Sequence, residues 1–415
     1  MLTGYTSRMK APRTSARDAS IGIVAVLRAA GHVAYFSGGC VRDALLELEP
    51  KDYDIATDAP PQRVLELFPR SRAVGEAFGV VRVQCAGHWV EVATFRMEWG
   101  YYDGRRPGEV QFSDAKHDAC RRDFTINGMF SDPDSGGNDR IIDFVGGRAD
   151  LDAGLIRAIG DPEQRFSEDA LRLLRAVRFA AHLDFEIEPH TATSVRANAP
   201  SISRISRERI GMEIEAMLIG PRPAKAAIMM RDFGLDEIVF DKPLDEQPCT
   251  LLGQLDCAAT YANRLDAWVS QRRPTLGVDR LQRSLCLPNA VADDVRALRR
   301  LTARAADFLT LKVAARKRLV ADRLWDQVVL QWRAGVIEHS YCDSIEWEAS
   351  HLRGDGIGVN PLPLISGDDL IAMGLAPGPN FRRWLDGVYD AQLEGAVTTR
   401  DQAMAWIRCC SGGSD

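Results

Sequence analysis

The sequence predicts an α/β head with a small mixed sheet over residues 1–150, followed by an all-helical remainder. Three observations predict this fold class. Residues 33–58 alternate short β-prone runs with a glycine turn and one stretch of helical spacing. Residues 73–96 add two β-rich runs that glycines interrupt. From residue 152 onward, apolar residues recur at helical spacing almost throughout.

The composition is that of ordinary globular material, with 46% hydrophobic and 27% charged residues. No apolar run approaches the ~18 residues that a membrane span needs, so no membrane partner is expected. The net charge of −6 argues against a generic polyanion binder. Any contact with nucleic acid must therefore come from local basic patches.

Nine cysteines are scattered along the chain without zinc spacing or a disulfide pattern. Unpaired thiols suit a reducing compartment, so the cytoplasm is the expected location. Four basic residues precede any acid at the N-terminus, and we interpret them as a disordered basic arm rather than a targeting peptide: Arg8, Lys10, Arg13 and Arg17.

Residues 33–59 carry the clearest chemical signal. A β-prone run ends at Gly38-Gly39, and a predicted helix and a second strand with Asp52 and Asp54 follow. Residues i and i+2 of a strand share a face, so the two carboxylates are expected to point at one place. Like charges that close need a counter-charge, and a hard divalent cation such as Mg²⁺ fits best.

The glycine pair adds a phosphate-binding element to this segment. Gly38 and Gly39 allow close approach of backbone N–H groups to an anion, and Arg42 adds a cationic fork in the first helical turn. Taken singly, a D-x-D pair is usually a solvated strand edge and a Gly-Gly pair is usually a turn. Their combination is typical of nucleotidyl transfer by two metal ions.

GGCVRD followed by DYDIATDA resembles the head-domain signature of class II tRNA nucleotidyltransferases (CCA-adding enzymes) and bacterial poly(A) polymerases. That family belongs to the polymerase β-like nucleotidyltransferase superfamily. The resemblance is dense over residues 33–220 and looser over 363–407. It implies a catalytic head, a neck that recognises the base, a body and a tRNA-binding tail, which we place at 1–150, 151–220, 221–300 and 301–415. We assign no role to residues 237–262.

Glu91 lies in a β-rich run, where Val90 and Val92 share one face and Glu91 takes the other. An exposed strand face would explain it. The family places an acidic residue on the corresponding strand, which implies that Glu91 is a third metal ligand beside Asp52 and Asp54.

Residues 97–116 are rich in glycine and charge and are predicted to be a loop. The resembling family has a flexible loop here that is used for adding the terminal A. The loop has its full length in this chain, which favours A addition. Arg105 and Arg106 within it are candidates to bind phosphates or stack on bases.

CRRDFTINGMF matches the family's R-R-D-x-x-x-N motif. The resemblance implies that Arg122, Asp123 and Asn127 contact the ribose and phosphates of the nucleotide. A spacing of four residues would put Asp123 and Asn127 on one helix face. An N-capped amphipathic helix without a ligand would show the same pattern.

Residues 165–183 are predicted to form one helix with Ser167 as its N-cap. Asp169, Arg172 and Arg175 form a polar strip, with Arg178 further round. A salt-bridged surface is the usual meaning of such a ridge. EDALR matches the family's E-D-x-x-R motif, which implies that Asp169 and Arg172 read the base while Arg175 and Arg178 support them.

The resemblance implies addition of CCA to tRNA from CTP and ATP, with Mg²⁺ as cofactor and no protein partner. Three alternatives stay open at this point. They are an A-adding enzyme that works with a CC-adding partner, a poly(A) polymerase and a non-catalytic RNA-binding relative. Glu76 disfavours the polymerase, because such enzymes typically carry a basic residue there. The intact Asp52 and Asp54 pair disfavours the non-catalytic relative.

Overall fold

The computed structural model describes residues 15–74, 79–99, 109–133, 139–241, 249–304 and 307–411. The chain folds into two compact units, residues 1–243 and 244–415. The finer division at residues 150, 220 and 300 stays a prediction. None of the helices within the described ranges is long and apolar enough to cross a membrane.

The first unit contains the strands of the chain's described part. They are β1 Ala34–Ser37, β2 Asp54–Thr57, β3 Ser71–Ala73, β4 Val80–Cys85, β5 His88–Thr94, β6 Arg96–Trp99, β7 Glu109–Phe112, β8 Phe130–Asp132, β9 Arg140–Ile142, β10 Leu155–Ile156 and β11 Glu186–Ile187. Seven of them form a sheet in the order β3-β4-β5-β2-β1-β8-β9. Its β2 and β5 run parallel and its other neighbours antiparallel, which confirms the mixed sheet.

Helices cover this sheet and continue the first unit. They are α1 Ala16–Ala29, α2 Gly39–Leu45, α3 Pro61–Leu67, α4 Ala115–Cys120, α5 Gly147–Asp152, α6 Pro162–Glu168, α7 Leu171–Leu183, α8 Pro189–Asn198, α9 Arg207–Leu218, α10 Pro223–Asp232 and α11 Leu235–Phe240. Two 3₁₀ turns lie at Thr125–Asn127 and Ala199–Arg204.

One face of the sheet is built for burial. Val81 and Val83 of β4 lie beside Val90 and Val92 of β5, and all four are buried. Helices α1 and α3 pack against these strands. The apolar stripe of α1 supplies Ile23, Val24 and Leu27 at helical spacing. The opposite face carries Glu91, as the alternation in the sequence predicts, and it is exposed at that residue. At β2 this face is covered, because Ala56 is buried against Ala119 of α4 and Phe130 of β8.

The second unit is all-helical within its described residues. Its helices are α12 Thr250–Gln254, α13 Tyr261–Arg272, α14 Val278–Leu285, α15 Asn289–Thr302, α16 Val313–Val320, α17 Trp325–Gln331, α18 His339–Gly354, α19 Gly367–Ala372, α20 Pro379–Leu393 and α21 Arg400–Ser411, with a 3₁₀ turn at Phe308–Thr310 and a π turn at Trp332–Val336. The α/β head and helical remainder of the predicted fold class are confirmed.

Several local predictions are wrong. Strand β2 begins at Asp54, so Asp52 precedes it rather than lying within it. The predicted loop at 97–116 contains the paired strands β6 and β7 and the start of α4. Arg17 belongs to α1 and pairs with Asp139, at 2.5 Å, instead of lying in a basic arm. Residues 237–262 span the end of α11, all of α12 and the start of α13.

Candidate active site

A cavity of about 490 Å³ in the first unit brings most of the predicted site residues together. Seven arginines and three aspartates line it, so its charge favours a polyanionic ligand. The predicted residues in its lining are Gly38, Gly39, Arg42, Asp54, Arg122, Asp123, Asn127, Asp169, Arg172, Arg175 and Arg178. Asp52 and Glu91 do not line this cavity.

The glycine turn takes a conformation that a larger residue would not adopt easily. Gly38 has a φ of 71°, in the left-handed region, and an added Cβ would lie 3.1 Å from Arg122 Nη1. Helix α2 begins directly after it, at Gly39, without a side-chain cap. The first backbone N–H groups of α2 are therefore not satisfied by a capping side chain.

Arg42 lines this cavity and is fixed by several neighbours. It is buried, donates from Nη1 to Asn127 Oδ1 at 2.8 Å and forms a two-point contact with Asp43. Its guanidinium also lies 5.2 Å from the centre of the Phe179 ring. The glycine turn and the R-R-D-x-x-x-N motif are thereby linked directly.

Three arginine side chains surround the Phe179 ring, an arrangement that was not predicted from the sequence. Arg178 lies 4.3 Å and Arg175 5.2 Å from its centre, beside Arg42. A ring face attracts cations, so it offsets part of the repulsion among these guanidinium groups. Arg178 is further fixed by Glu213 at 2.6 Å.

Asp118 fixes the two consecutive arginines of the motif, and it too was not predicted. Arg121 and Arg122 donate to its two oxygens at 2.6 and 2.9 Å, respectively. Burial alone would raise the pKa of Asp118, but Arg122 and Arg121 lower it below its ordinary value. The carboxylate thus stays charged and orients both guanidinium groups.

Asp54 sits among acidic neighbours. Ile55 of β2 pairs with Val92 of β5, so Asp54 and Glu91 occupy the preceding positions on adjacent strands. Burial and then the charge of Glu91 raise the pKa of Asp54 to about 6, with a smaller contribution from Asp52, while Arg122 opposes them. The three carboxylates repel one another, and a divalent cation would relieve this repulsion.

The carboxylates fit a metal ion by their chemistry, but they are not already grouped around one. Within the described ranges, no three acidic, histidine or cysteine side chains are grouped in a way that could hold a metal ion. Glu91 is 54% exposed and lies 3.9 Å from Arg82. Metal binding by Asp52, Asp54 and Glu91 therefore stays a prediction.

Asp123 forms the buried ion pair of the site. Its carboxylate lies 2.6 Å from Arg175, and it accepts from the Phe124 backbone N–H and from Asn127. Burial alone would raise its pKa, but Arg175 holds the pKa of Asp123 at about 2. Asp123 and Asn127 do meet, although through a 3₁₀ turn rather than the predicted helix face.

Replacing Asp123 by Asn is expected to lower the free energy of unfolding by about 2 kcal/mol at neutral pH, because Arg175 loses its charged partner. The pKa of Asp123 is depressed on folding, so this stability is present above pH ~4 and is lost as the pH falls toward about 2. Urea unfolding from pH 2 to 7 measures it. The double variant Asp123→Asn/Arg175→Met should lose less free energy of unfolding than the two single variants lose together. Strict additivity would contradict a coupling between the two side chains.

The predicted single helix at 165–183 is wrong. Helix α6 ends at Glu168 and α7 begins at Leu171, with Asp169 in an extended conformation between them. Ser167 is not an N-cap; its hydroxyl donates to the Gln164 carbonyl. The N-cap residue of α7 is Ala170, and the Asp169 carboxylate just before it accepts from the Leu171 backbone N–H at 3.1 Å.

Both predicted base-reading side chains are held by neighbours. Arg209 donates to Asp169 at 3.1 Å. Arg172 is buried and donates to Glu168 at 2.8 Å and to the backbone carbonyls of Arg165 and Arg121. Their positions are therefore set before any ligand enters.

Helix α9 braces this region with two charges of opposite sign. Arg209 and Glu213 are four residues apart and so share a helix face, and they pair with Asp169 and Arg178. Arg209 also lines the cavity, and its buried Nη1 donates no hydrogen bond. Arg209 was not among the predicted site residues, although the pattern R-E-R-x-x-x-E of the α9 segment was a signal that could have indicated it.

Some residues named in the sequence analysis lie outside the described ranges, and one basic segment belongs to the second unit. Glu76, Arg105 and Arg106 fall outside the described ranges. In the basic segment at 301–325, Lys317 is fully buried and pairs with Asp355 at 2.5 Å, whereas Arg318 is exposed.

Residues 34–157 match the poly(A) polymerase head domain family. Residues 184–245 match a second family, described as "Probable RNA and SrmB-binding site of polymerase A". The CCA-adding enzyme of Limosilactobacillus fermentum is 34% identical over 393 residues, which cover 92% of this chain and 94% of that protein. That of Geobacillus stearothermophilus is 39% identical over 293 residues, 67% and 69% of the two chains.

Among solved structures, the Bacillus stearothermophilus CCA-adding enzyme in complex with CTP has a TM-score of 0.77 at 29% identity and covers 96% of this chain and 99% of its own. The Thermotoga maritima enzyme complexed with tRNA shares the fold, with a TM-score of 0.68 at 19% identity over 96% and 97% of the chains. The resemblance predicted from GGCVRD and DYDIATDA is thus confirmed, and the chain belongs to the CCA-adding enzymes, whose head domain is that of the poly(A) polymerases.

Proposed function

We propose that this chain adds C, C and A in turn to the 3′ end of tRNA, using CTP and ATP and releasing pyrophosphate. The cavity carries this proposal, because it combines arginines suited to a triphosphate with an Asp–Arg pair held in place on one side. Relatives named CCA-adding enzymes over nearly the whole chain support it.

Nucleotidyltransferases of this family use a divalent metal, and we propose that it is Mg²⁺ here, held by Asp52, Asp54 and Glu91. When bound, such ions acidify the attacking 3′-hydroxyl and neutralise the triphosphate. The raised pKa of Asp54 supports the fit, because a cation would offset the charges of Glu91 and Asp52.

The chain's own residues would bind and orient the nucleotide. Gly38, Gly39 and Arg42 hold phosphates, the first two through the backbone and the last through its guanidinium. Arg122, Asp123 and Asn127 position the ribose and triphosphate. Because Asp118 and Arg175 already fix Arg122 and Asp123, little side-chain freedom is lost on binding.

Asp169 and Arg172 would select the base. A carboxylate accepts from the exocyclic amine that both C and A carry, and a guanidinium donates to their ring nitrogen or to the carbonyl of C. U and G present the opposite pattern at the amine position, so the pair rejects both. Arg175 and Arg178 support the pair around Phe179.

We place the protein in the cytoplasm. None of its nine cysteines is joined in a disulfide, as a reducing compartment requires.

A gel assay with three tRNA transcripts tests the proposed function. The transcripts end before CCA, after C and after CC, and each is offered CTP, ATP or both with Mg²⁺. One or two C from CTP and then a single A from ATP are expected. Addition to the CC-ending transcript alone would indicate an A-adding enzyme. Long ATP-dependent tails would indicate a poly(A) polymerase, and no incorporation would favour a non-catalytic relative.

A further inference from the structure

A row of four charged side chains crosses β3, β4, β5 and β2 on the sheet face that carries Glu91. Arg72 of β3 is directly opposite Arg82 of β4, and Arg82 is directly opposite Glu91 of β5. Glu91 in turn lies beside Asp54 of β2. Residues at the same register position point to the same face, so two arginines extend the row that begins with two carboxylates.

Trp89 joins the two arginines into one surface. It precedes Glu91 by two residues on β5 and therefore shares its face. The Arg72 and Arg82 guanidinium groups lie 5.0 and 5.6 Å from the indole ring, which is 43% exposed. We call Arg72, Arg82 and Trp89 the arginine–tryptophan platform.

The platform has cationic capacity that the described residues do not use. Arg72 is exposed and makes no ion pair with any residue of the described ranges. Within the described ranges, the carboxylate that Arg82 pairs with is that of Glu91, at 3.9 Å, which is too long for a hydrogen bond, and the Arg82 Nε donates to no described atom. Packing alone would not require two guanidinium groups beside one exposed indole.

The chemistry of the platform fits single-stranded nucleic acid. Guanidinium groups bind phosphates, and an exposed aromatic ring stacks on a base of any identity. None of the three residues lines the nucleotide cavity, so the incoming nucleotide is not the occupant. Three strand spacings of the sheet, roughly 14 Å, separate Arg72 from Asp54. An RNA strand whose 3′ end lies at the carboxylates would therefore extend over the platform.

We propose that the platform binds the 3′-terminal nucleotides of the RNA strand whose hydroxyl reacts. Arg72 and Arg82 hold its phosphates, and Trp89 stacks on one of its bases. This inference rests on the proposed function, because it identifies where the acceptor strand of that reaction lies.

Steady-state kinetics of Trp89→Ala and Arg72→Ala test the platform. The KM for a CC-ending tRNA is expected to rise about tenfold in each, with kcat at saturating tRNA and the KM for ATP unchanged. Trp89→Phe keeps a stacking ring and should recover most of the affinity. Arg63→Ala is the matched control, because it removes an exposed arginine from α3.

Filter binding of the same tRNA at several salt concentrations measures a second quantity, the salt dependence of binding. A residue with only a structural role would leave this salt dependence unchanged. Arg72→Ala should reduce the slope of log K against log salt by about 0.7, the value for one phosphate of a single strand. An unchanged KM for tRNA, or equal losses in Trp89→Ala and Trp89→Phe, would overturn the platform.

The two proposals fail in different ways. If the wild-type protein adds no nucleotide but Arg72→Ala still weakens tRNA binding with the smaller slope, the platform is supported and the proposed function is not. If the wild type adds CCA and the variants match it in every parameter, only the platform is refuted.

Discussion

Asp54→Asn is expected to lower nucleotide incorporation about a thousandfold or more while leaving the protein folded. The amide removes one of the charges that would hold the metal, and the loss of several kcal/mol of transition-state stabilisation corresponds to that factor. Single-turnover incorporation of CTP into tRNA measures it. Glu66→Gln, which removes an exposed charge from α3, is the control and should keep full activity.

The same substitution should raise the melting temperature of the metal-free protein at neutral pH. The pKa of Asp54 is raised on folding, so its charged form destabilises the fold. This cost is absent below pH ~4, where the carboxyl is protonated in both states, and is complete above about pH 6. The stability gained by Asn should grow over that window. A variant less stable than wild type at pH 7 would contradict the repulsion among these carboxylates.

Asp169→Ala is expected to reduce the preference for CTP over UTP by about 10- to 100-fold, the usual worth of a two-point contact with a base. In the proposed function the Asp169 carboxylate accepts from the exocyclic amine, whereas the chemical step is assigned to Asp54, which also lines the cavity. Incorporation should therefore continue with relaxed choice. Values of kcat/KM for all four nucleoside triphosphates measure it.

Two further variants make this second prediction sharper. Arg209→Gln keeps Asp169 but removes its brace, so we expect an intermediate loss of selectivity. Asp232→Ala removes an exposed aspartate at the end of α10 and should change nothing. An Asp169→Ala protein that stayed fully selective would refute base reading by this carboxylate.

Local pattern was enough to find the glycine turn and the strand with Asp54, whereas most of the remaining cavity lining was predicted from the family motifs. The turn and the strand depend on neighbours within a few residues, and the alternation around Val90 and Val92 reported the buried face correctly. The boundary at Asp169 was missed because the helical spacing of Leu171, Leu174 and Val177 begins directly after it, and no glycine or proline separates α6 from α7. Asp169 has an extended backbone, and its carboxylate accepts from the Leu171 backbone N–H at the start of α7. This contact leaves the spacing of the apolar residues unchanged.

The supporting contacts could not be predicted, because they join residues that are distant in the chain. Asp123 and Arg175 are 52 positions apart, and Asp169 and Arg209 are 40 apart. Nothing in one sequence indicates which arginine will meet which carboxylate once the helices pack. The metal-ligand prediction for Glu91 relied on family resemblance for the same reason, since its neighbour Asp54 belongs to another strand.

The parallel pairing of β2 with β5 also affects when the carboxylates of Asp54 and Glu91 can meet during folding. Hairpins such as β4–β5 close locally and fast, whereas β2 must wait for the intervening α3 and β3 to be folded back. We therefore expect Asp54 and Glu91, 37 positions apart in the chain, to come together late in folding, after the transition state. Mutations that change the repulsion between these carboxylates should alter the unfolding rate more than the folding rate.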